Sequence, residues 1–280
     1  MPAPPRYAVF GHPIAHSLSP RLHGLFATQT GIDLQYVALD AAPDDFPYAA
    51  RCFFADGGRG ANVTLPHKGE AFGLADVRTP TAERIAVANV LTALPDGRIE
   101  ADSNDGGGML ADLQARHGIE LRGCHVLLLG AGGAARAAAF ALLDAGAGTL
   151  TIANRTFGRG QALASALAQP QRVRISQWDG LNRLTSFDLI VNATSAGVQQ
   201  ASLALPASIA GSNTAAYDLS YGAAAQPFLD WARGASCRRV SDGLGMLIET
   251  AAASFLRWHG VRPDTEAALR ALRESRESRW

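Results

Sequence analysis

The fold of this chain is decided by the stretch His125-Val126-Leu127-Leu128-Leu129-Gly130-Ala131-Gly132-Gly133-Ala134-Ala135. A short apolar run with strand character leads into three glycines, and an alanine-rich helical segment follows as far as Ala145. The order G-x-G-x-x-A between a strand and a helix is typical of a dinucleotide site, because backbone N–H groups there can approach a pyrophosphate. A tight strand-to-helix turn without a ligand is the alternative, but the flanking strand and helix favour binding. We predict that the cofactor is held by Gly130, Ala131, Gly132, Gly133 and Ala134.

The end of the next predicted strand, 149–153, indicates which dinucleotide binds. A site for NAD usually carries Asp or Glu there, to accept hydrogen bonds from the ribose hydroxyls. This chain instead has Asn154, Arg155 and Thr156, followed by Arg159 one helical turn later. Guanidinium groups match phosphate oxygens and stay charged, so these four residues favour the 2′-phosphate of NADP. For Arg159 a solvated position on a helix face is the alternative interpretation.

Strand-like and helical stretches alternate along the rest of the chain, which is typical of parallel βαβ units and predicts an α/β fold. In the first part, strands are expected at 6–11, 34–39, 60–64, 90–94 and 98–101, and helices at 19–31 and 43–54. In the second part, strands are expected at 125–129, 149–153, 172–175, 188–193 and 215–219. Helical spacing of apolar residues marks one long helix after Gly243 and another after Pro263.

These last two helices have no strand partners of their own, so they are expected to pack on the first domain. We therefore predict a discontinuous substrate-binding catalytic domain, residues 1–103 and 242–280, and a Rossmann-type NADP-binding domain, residues 104–241. The stretch from Asp102 to Gly108, rich in aspartate and glycine, is the predicted linker.

Composition excludes several classes of protein. The chain has 25 basic and 25 acidic residues, so a nucleic-acid partner has no electrostatic support. We find neither a signal-peptide pattern nor a segment of transmembrane length, and expect a soluble cytoplasmic protein. The cysteines Cys52, Cys124 and Cys237 lack metal or redox spacing, so we expect reduced core thiols and no metal site.

The chain contains a single lysine, Lys68, among its 25 basic residues. Arginine cannot release its proton at physiological pH, whereas lysine can, so Lys68 is a candidate for proton transfer; a leftover surface lysine is the alternative. The strand-like run 60–64 leads into Pro66, which is expected to be the first residue of a helix. Lys68 would then lie in the first helical turn, where the positive end of the helix dipole disfavours a cation and suits a general acid.

Two serines, Ser17 and Ser19, precede a predicted helix in the segment from His12 to Pro20. Hydroxyls beside the unpaired N–H groups of a helix N-terminus can bind a carboxylate. The alternative is structural: Ser19 as the helix cap and Ser17 as a turn residue.

Taken together, these segments resemble the shikimate dehydrogenase family over nearly the full length of the chain. The pair Ser-x-Ser-Pro and Asn-Val-Thr-x-Pro-x-Lys is specific to that superfamily. The matching segments are Val9 to Pro20, Gly60 to Lys68, Ala88-Asn89, Asn104 to Gly106, Gly130 to Ala134, Asn154 to Thr156, Asn192 to Ser195, Tyr217 to Leu219 and Asp242 to Leu247. The resemblance implies a substrate domain and an NADP domain facing each other across a cleft. It also implies reversible reduction of 3-dehydroshikimate to shikimate, a step of aromatic amino-acid biosynthesis.

The resemblance also implies roles for individual residues. Lys68 would donate the proton and Asp105 would orient the reacting hydroxyl, although Asp105 could also be a plain turn residue before Gly106. Ser17 and Ser19 would hold the substrate carboxylate. The ring hydroxyls and the rest of the substrate would meet Thr64, Asn89, Tyr221 and Thr250, and the cofactor would also meet Thr194, Ser195, Leu219 and Gly243.

Three departures from the family pattern concern the substrate. Ser103-Asn104 replaces the usual Asn-Thr before Asp105, Val90 replaces a threonine after Asn89, and Thr250 replaces a glutamine. They leave open two alternatives for this chain: a paralogue that oxidises quinate or a related polyhydroxy acid, or a non-catalytic sensor of NADP or shikimate. The partner is expected to be a small-molecule substrate, and the chain to be a monomer or homodimer.

Overall fold

A computed structural model describes residues 3–197 and 203–277 of the chain, which divide into two compact units. The first comprises Met1–Gly108 and Leu247–Trp280, and the second Met109–Met246. The junctions lie five residues further along the chain than the predicted ones. No helix within the described ranges is both long enough and apolar enough to cross a membrane.

The described residues form twelve strands and ten α-helices. The strands are β1 (Arg6–Gly11), β2 (Gln35–Asp40), β3 (Gly58–Val63), β4 (Val77–Arg78), β5 (Val90–Ala93), β6 (Ile99–Asp102), β7 (His125–Leu129), β8 (Thr149–Ala153), β9 (Val173–Ser176), β10 (Leu189–Asn192), β11 (Ala215–Asp218) and β12 (Arg239–Ser241). The helices are α1 (Ser19–Thr30), α2 (Phe46–Ala55), α3 (Lys68–Leu74), α4 (Pro80–Ile85), α5 (Asp105–Ala111), α6 (Gly133–Asp144), α7 (Phe157–Leu167), α8 (Gln226–Gly234), α9 (Leu244–His259) and α10 (Thr265–Glu277).

The first unit is built on a six-stranded sheet in the order β2-β1-β3-β5-β6-β4. Strands β1, β2 and β3 are parallel, and β5 and β6 form an antiparallel hairpin. One face is covered by aromatic residues, where Phe10 meets Phe46 and Phe53 edge to face. Helix α9 packs against β3 so closely that a Cβ on Gly60 would lie 2.5 Å from the Trp258 ring. This contact explains why a C-terminal helix belongs to the N-terminal unit.

The second unit is a parallel six-stranded sheet in the order β12-β11-β10-β7-β8-β9. This is the doubly wound arrangement, in which the connections reverse direction between β7 and β10. Its central strands are apolar and buried on both faces, as parallel strands between helices must be. The fold class is therefore α/β with a Rossmann-type unit, as predicted.

Three local predictions were wrong. Residues 102–108 are not a linker: they comprise the last residue of β6 and the first turn of α5. In that turn the amide N–H of Gly108 donates to the Asn104 carbonyl oxygen at 2.9 Å. Pro66 lies in a turn closed by the His67 N–H and the Thr64 carbonyl, so α3 begins at Lys68. The three cysteines are free, as expected, but they are only partly buried, and of the three Cys237 packs against the buried core of the second unit.

Candidate active site

Lys68 and Asp105 form an ion pair in the first unit. The Lys68 ammonium donates to Oδ2 of Asp105, and the two side chains are only 13% and 9% exposed. Lys68 begins α3 after the loop that follows β3, and Asp105 begins α5 after β6. An ammonium beside a carboxylate in a site largely closed to water is an arrangement able to transfer a proton.

Asn89 holds the other oxygen of this carboxylate. Its Nδ2 donates to Oδ1 of Asp105 at 2.9 Å, and the side chain is 3% exposed. The Asp105 carboxylate therefore accepts a hydrogen bond on each oxygen, one from a charged donor and one from a neutral amide. The structure thus brings together three of the residues that the sequence assigned to the substrate site.

The loop after β1 carries the two serines, and it is tied to the loop after β3. The amide N–H of His12 donates to the Leu65 carbonyl oxygen at 3.0 Å, so both loops lie at the carboxyl ends of adjacent parallel strands. Thr64 follows β3 directly, and its methyl group packs against Gly11 at the end of β1. Lys68 lies at the same edge of the sheet.

The predicted cap of α1 is wrong in detail. Leu18 occupies the N-cap position and Ser19 is the first helical residue. The Ser17 Oγ accepts the Ser19 amide N–H at 3.2 Å, so Ser17 supplies the local hydroxyl acceptor. Ser19 itself is buried, with only 7% of its surface exposed.

Thr250 lies on α9 in the same unit, and its side chain is buried. Within the described ranges its Oγ1 has no hydrogen-bond partner. A buried hydroxyl without a partner carries a desolvation cost that a ligand can remove. Tyr221 belongs to the second unit, where it is partly buried three residues after β11.

In the second unit, the glycine motif lies where the sheet connections reverse. Gly130 has φ +108, and a Cβ there would lie 2.8 Å from the Ala193 carbonyl oxygen at the end of β10. Gly132 is the N-cap of α6 without a side-chain cap bond, and a Cβ on it would meet nothing within 4 Å. Gly130 therefore permits close packing of β7 against the end of β10, while Gly132 leaves open space before the N-terminus of α6. Ala131, Gly133 and Ala134 complete the turn from β7 into α6, and backbone N–H groups at such a turn can bind a pyrophosphate.

The residues predicted to select the cofactor follow β8, which pairs with β7. Arg155 and Arg159 are both exposed, and Thr156 is the N-cap of α7. Asn154 donates through Nδ2 to the Thr156 carbonyl oxygen at 2.8 Å, so its amide shapes the turn that presents the arginines. No carboxylate lies between the end of β8 and Arg159, which fits a phosphate better than a ribose hydroxyl.

The remaining cofactor residues follow β10, β11 and β12 at this same edge of the sheet. Thr194 donates to Oδ1 of Asn192 at 2.8 Å, with Ser195 next in the chain. A Cβ on Gly243 would lie 2.4 Å from the Leu219 carbonyl oxygen, so only glycine fits where the ends of β11 and β12 meet. All predicted cofactor residues thus lie at the carboxyl edge of one sheet, where ligands of doubly wound folds bind.

A buried pair beneath these loops was quoted in the sequence motifs but assigned no role. Asn192 Nδ2 donates to Oδ2 of Asp218 at 2.7 Å, and both side chains are at most 2% exposed. Burial raises the pKa of Asp218 to about 7, although hydrogen bonds from Ser220 and Asn192 oppose that rise. The sequence does contain a signal for this pair, because each of two apolar predicted strands ends in a polar residue.

Sequence comparisons agree with this geometry. The family model described as the shikimate dehydrogenase substrate binding domain matches residues 9–91. A second model, described as shikimate / quinate 5-dehydrogenase, matches residues 112–201. Together the two models cover most of the chain and assign one domain to each compact unit.

Individual relatives match over nearly the whole length. Shikimate dehydrogenase (NADP(+)) of Xanthomonas campestris pv. campestris strain B100 is 53% identical over 272 residues, covering 96% of this chain and 95% of the relative. Shikimate 5-dehydrogenase of Thermus thermophilus, solved with NADP(H) and shikimate, is 35% identical with a TM-score of 0.84, covering 96% of this chain and 99% of that one. An Ael1 enzyme from Pseudomonas putida is 45% identical with a TM-score of 0.86, covering 96% and 98%. On this evidence the chain belongs to the shikimate dehydrogenase family.

Proposed function

We propose that this chain is an NADP-dependent shikimate dehydrogenase that catalyses the reversible reduction of 3-dehydroshikimate to shikimate. The observation that carries the proposal is the Lys68–Asp105 ion pair, with Asn89 on the second carboxylate oxygen. A sensor would need neither a proton donor nor a carboxylate to orient a hydroxyl. The relative from Xanthomonas campestris, at 53% identity, supports the same activity.

The first unit would bind the substrate and carry out the proton transfer. Ser17 and Ser19 would hold the ring carboxylate. Their loop is hydrogen-bonded to the loop between Thr64 and Lys68, so the two serines belong to the same edge of the sheet as the proton donor. Lys68 would donate a proton to the oxygen that becomes the new hydroxyl, and would accept it in the oxidative direction. Asp105 would hold that hydroxyl and the ammonium together, so the pair acts as one unit.

The second unit would bind NADP(H), which supplies the hydride when bound. The Gly130–Ala134 segment and the N-terminus of α6 would bind the pyrophosphate, and Asn154 to Thr156 with Arg159 the 2′-phosphate. Leu219 and Gly243 would line the nicotinamide end, Thr194 and Ser195 would border the cofactor, and Tyr221 would lie near the substrate. The exposed Arg155 and Arg159 in place of a carboxylate support NADP over NAD.

The decisive experiment is a substrate panel. Shikimate, quinate and related polyhydroxy acids are each offered with NADP and with NAD, and the absorbance of reduced nicotinamide is followed. We expect oxidation of shikimate with NADP at the highest kcat/KM. Preference for quinate would support the paralogue, and no turnover with any acid would support a sensor.

Size-exclusion chromatography with light scattering tests the accompanying proposal of a monomer or homodimer, and fractionation tests that of a cytoplasmic location.

A further inference from the structure

The amide of Asn89 is fully engaged by protein groups. Its Nδ2 donates one hydrogen to Oδ1 of Asn104 at 2.7 Å and the other to Oδ1 of Asp105 at 2.9 Å. Its Oδ1 accepts the backbone N–H of Asn104 at 2.8 Å. An amide nitrogen has only two hydrogens, so Asn89 has no donor left for a substrate hydroxyl. It can meet the substrate only through its oxygen.

The orientation of this amide is fixed by a second amide. Asn104 Nδ2 donates to the Thr250 carbonyl oxygen at 3.1 Å and to Ser254 Oγ at 3.0 Å. A backbone carbonyl can only accept, so Asn104 must turn its nitrogen towards Thr250 and its oxygen towards Asn89. Asn89 must in turn present its nitrogen, which is the end that meets Asp105. The hydrogen-bond roles leave no freedom for either amide to flip.

The network continues away from the catalytic pair and ends on a permanent donor. Ser254 Oγ donates to the Thr250 carbonyl oxygen at 3.1 Å and accepts from Asn62 Nδ2 at 2.8 Å. Asn62 Oδ1 accepts from the Tyr36 hydroxyl at 2.8 Å. Burial raises the pKa of Tyr36 well above its ordinary value, so this hydroxyl keeps its proton. The order of donors and acceptors is therefore set at both ends, by Tyr36 and by the main chain at Thr250.

We propose that Asn104 is a positioning residue that acts through Asn89 on the Asp105 carboxylate; this rests on the proposed function of the Lys68–Asp105 pair. Asn104 occupies the position where the family usually has threonine, whose side chain has no amide N–H to reach the Thr250 carbonyl. In this chain, Asn104 takes one Asn89 N–H and directs the other to Asp105. The carboxylate is then bound on both oxygens, which fixes the direction in which it holds Lys68.

A double-mutant cycle tests this coupling. We expect Asn104→Ala and Asn104→Thr each to lower kcat for shikimate oxidation about tenfold, the scale of one hydrogen bond, with KM changed less than about twofold. Asn104→Thr restores the residue usual in the family, so it keeps the proposal testable if the alanine variant fails to fold. Because Asn104 acts only through Asn89, neither substitution should lower kcat further in an Asn89→Ala background. Multiplying effects in the double variants, or an unchanged kcat in Asn104→Thr, would overturn the proposal.

Gln29→Ala is the control for loss of a side-chain amide elsewhere in the first unit. Gln29 is also an amide that joins two backbone segments of the first unit, because its Nε2 donates to the Asp264 carbonyl and its Oε1 accepts the Asp264 N–H. Because Gln29 is exposed and the hydrogen bonds of Asn104 are partly buried, we expect a smaller loss of thermal stability and no fall in kcat. A fall in kcat equal to that of Asn104→Ala would show that lost stability, rather than positioning, explains both variants.

A readout independent of turnover separates this proposal from the proposed function. The Asn89 side-chain N–H signals, assigned by their loss in Asn89→Ala, should exchange slowly with solvent in the wild-type protein by proton–nitrogen NMR. They should exchange faster in Asn104→Thr and stay protected in Gln29→Ala. If the wild-type protein oxidises no shikimate, the proposed function fails while this result still decides whether Asn104 fixes Asn89. Unchanged protection in Asn104→Thr would refute the role of Asn104 whatever the activity.

Discussion

Asp105 binds Lys68 from a position 37 residues further along the chain, and the pair is nearly closed to solvent. The two residues lie at the starts of different helices, after strands β3 and β6 that are separated in the sheet by β5. In this sheet β3 and β6 are each antiparallel to β5, so they run in the same direction and end at one edge. The sheet topology therefore brings Lys68 and Asp105 together.

The first prediction concerns Lys68. We expect Lys68→Ala to lower kcat by roughly 10²–10⁴, the range for loss of a general acid or base, with a smaller change in substrate Kd. Lys68→Arg should rescue little, because arginine keeps the charge but cannot exchange a proton near neutral pH. Steady-state rates and substrate titrations of both variants are the measurements. An arginine variant with near-wild-type kcat would leave Lys68 only an electrostatic role.

The second prediction concerns cofactor choice. Arg155→Ala should weaken NADP binding about ten- to a hundredfold and leave NAD binding nearly unchanged, because only NADP carries the 2′-phosphate. Fluorescence titration of the two cofactors measures both affinities. Arg159→Ala, one turn later on α7, is the matched comparison and is expected to have a smaller effect. Equal losses for NADP and NAD in Arg155→Ala would contradict the assignment.

The third prediction concerns Thr250, whose buried Oγ1 has no partner among the described residues. Thr250→Gln should lower the KM for shikimate, because it restores an amide that the family usually offers to the substrate. Thr250→Val keeps the shape but removes the hydroxyl, and should raise KM roughly two- to tenfold if that hydroxyl binds a ring oxygen. A higher KM in Thr250→Gln would indicate a pocket shaped for a different acid.

Sequence alone located the elements whose pattern is strong. Strands β1, β7 and β8 have the predicted bounds, because each is a short apolar run that the sheet buries. Helix α5 was missed because Asp105-Gly106-Gly107-Gly108 is a poor helix former, with a cost of about 1 kcal/mol for each glycine. Hydrogen bonds from Asn89 to Asn104 and Asp105 hold its first turn, and such contacts between distant residues leave no periodic signal.

The same distinction applies to the site. The sequence could predict that motif residues following parallel strands lie together, because the carboxyl ends of such strands meet at one edge of the sheet. Asn62 and Ser254 could not, since they lie 192 residues apart and meet only when α9 packs on β3. Their link to Asn104 depends on side-chain geometry that spacing does not encode.

The last prediction concerns His23, which is fully buried and stacks on Tyr36 with ring centroids 4.0 Å apart. Neither ring nitrogen has a hydrogen-bond partner within the described part of the chain. Burial, together with the nearby His259, lowers the pKa of His23 to about 3, and the polar side chain of Asn62 only partly opposes this shift. The folded state therefore keeps His23 neutral, whereas the unfolded chain binds a proton below about pH 6.5. The stability that depends on neutral His23 is complete above that pH and falls as the pH drops towards 3.

His23→Phe should remove this acid sensitivity, because phenylalanine keeps the stacking and has no nitrogen to protonate. At pH 7.5 the variant should be more stable by about 1 kcal/mol, since no unpaired polar atom is buried. At pH 5 the stability advantage of the variant should grow by roughly 2 kcal/mol. This pH lies about 1.5 units below the pKa of histidine in the unfolded chain, and each unit corresponds to about 1.4 kcal/mol. Urea unfolding at the two pH values measures both terms, with His125→Phe at an exposed histidine as the control. An advantage that is the same at both pH values would mean that His23 is not held neutral by burial.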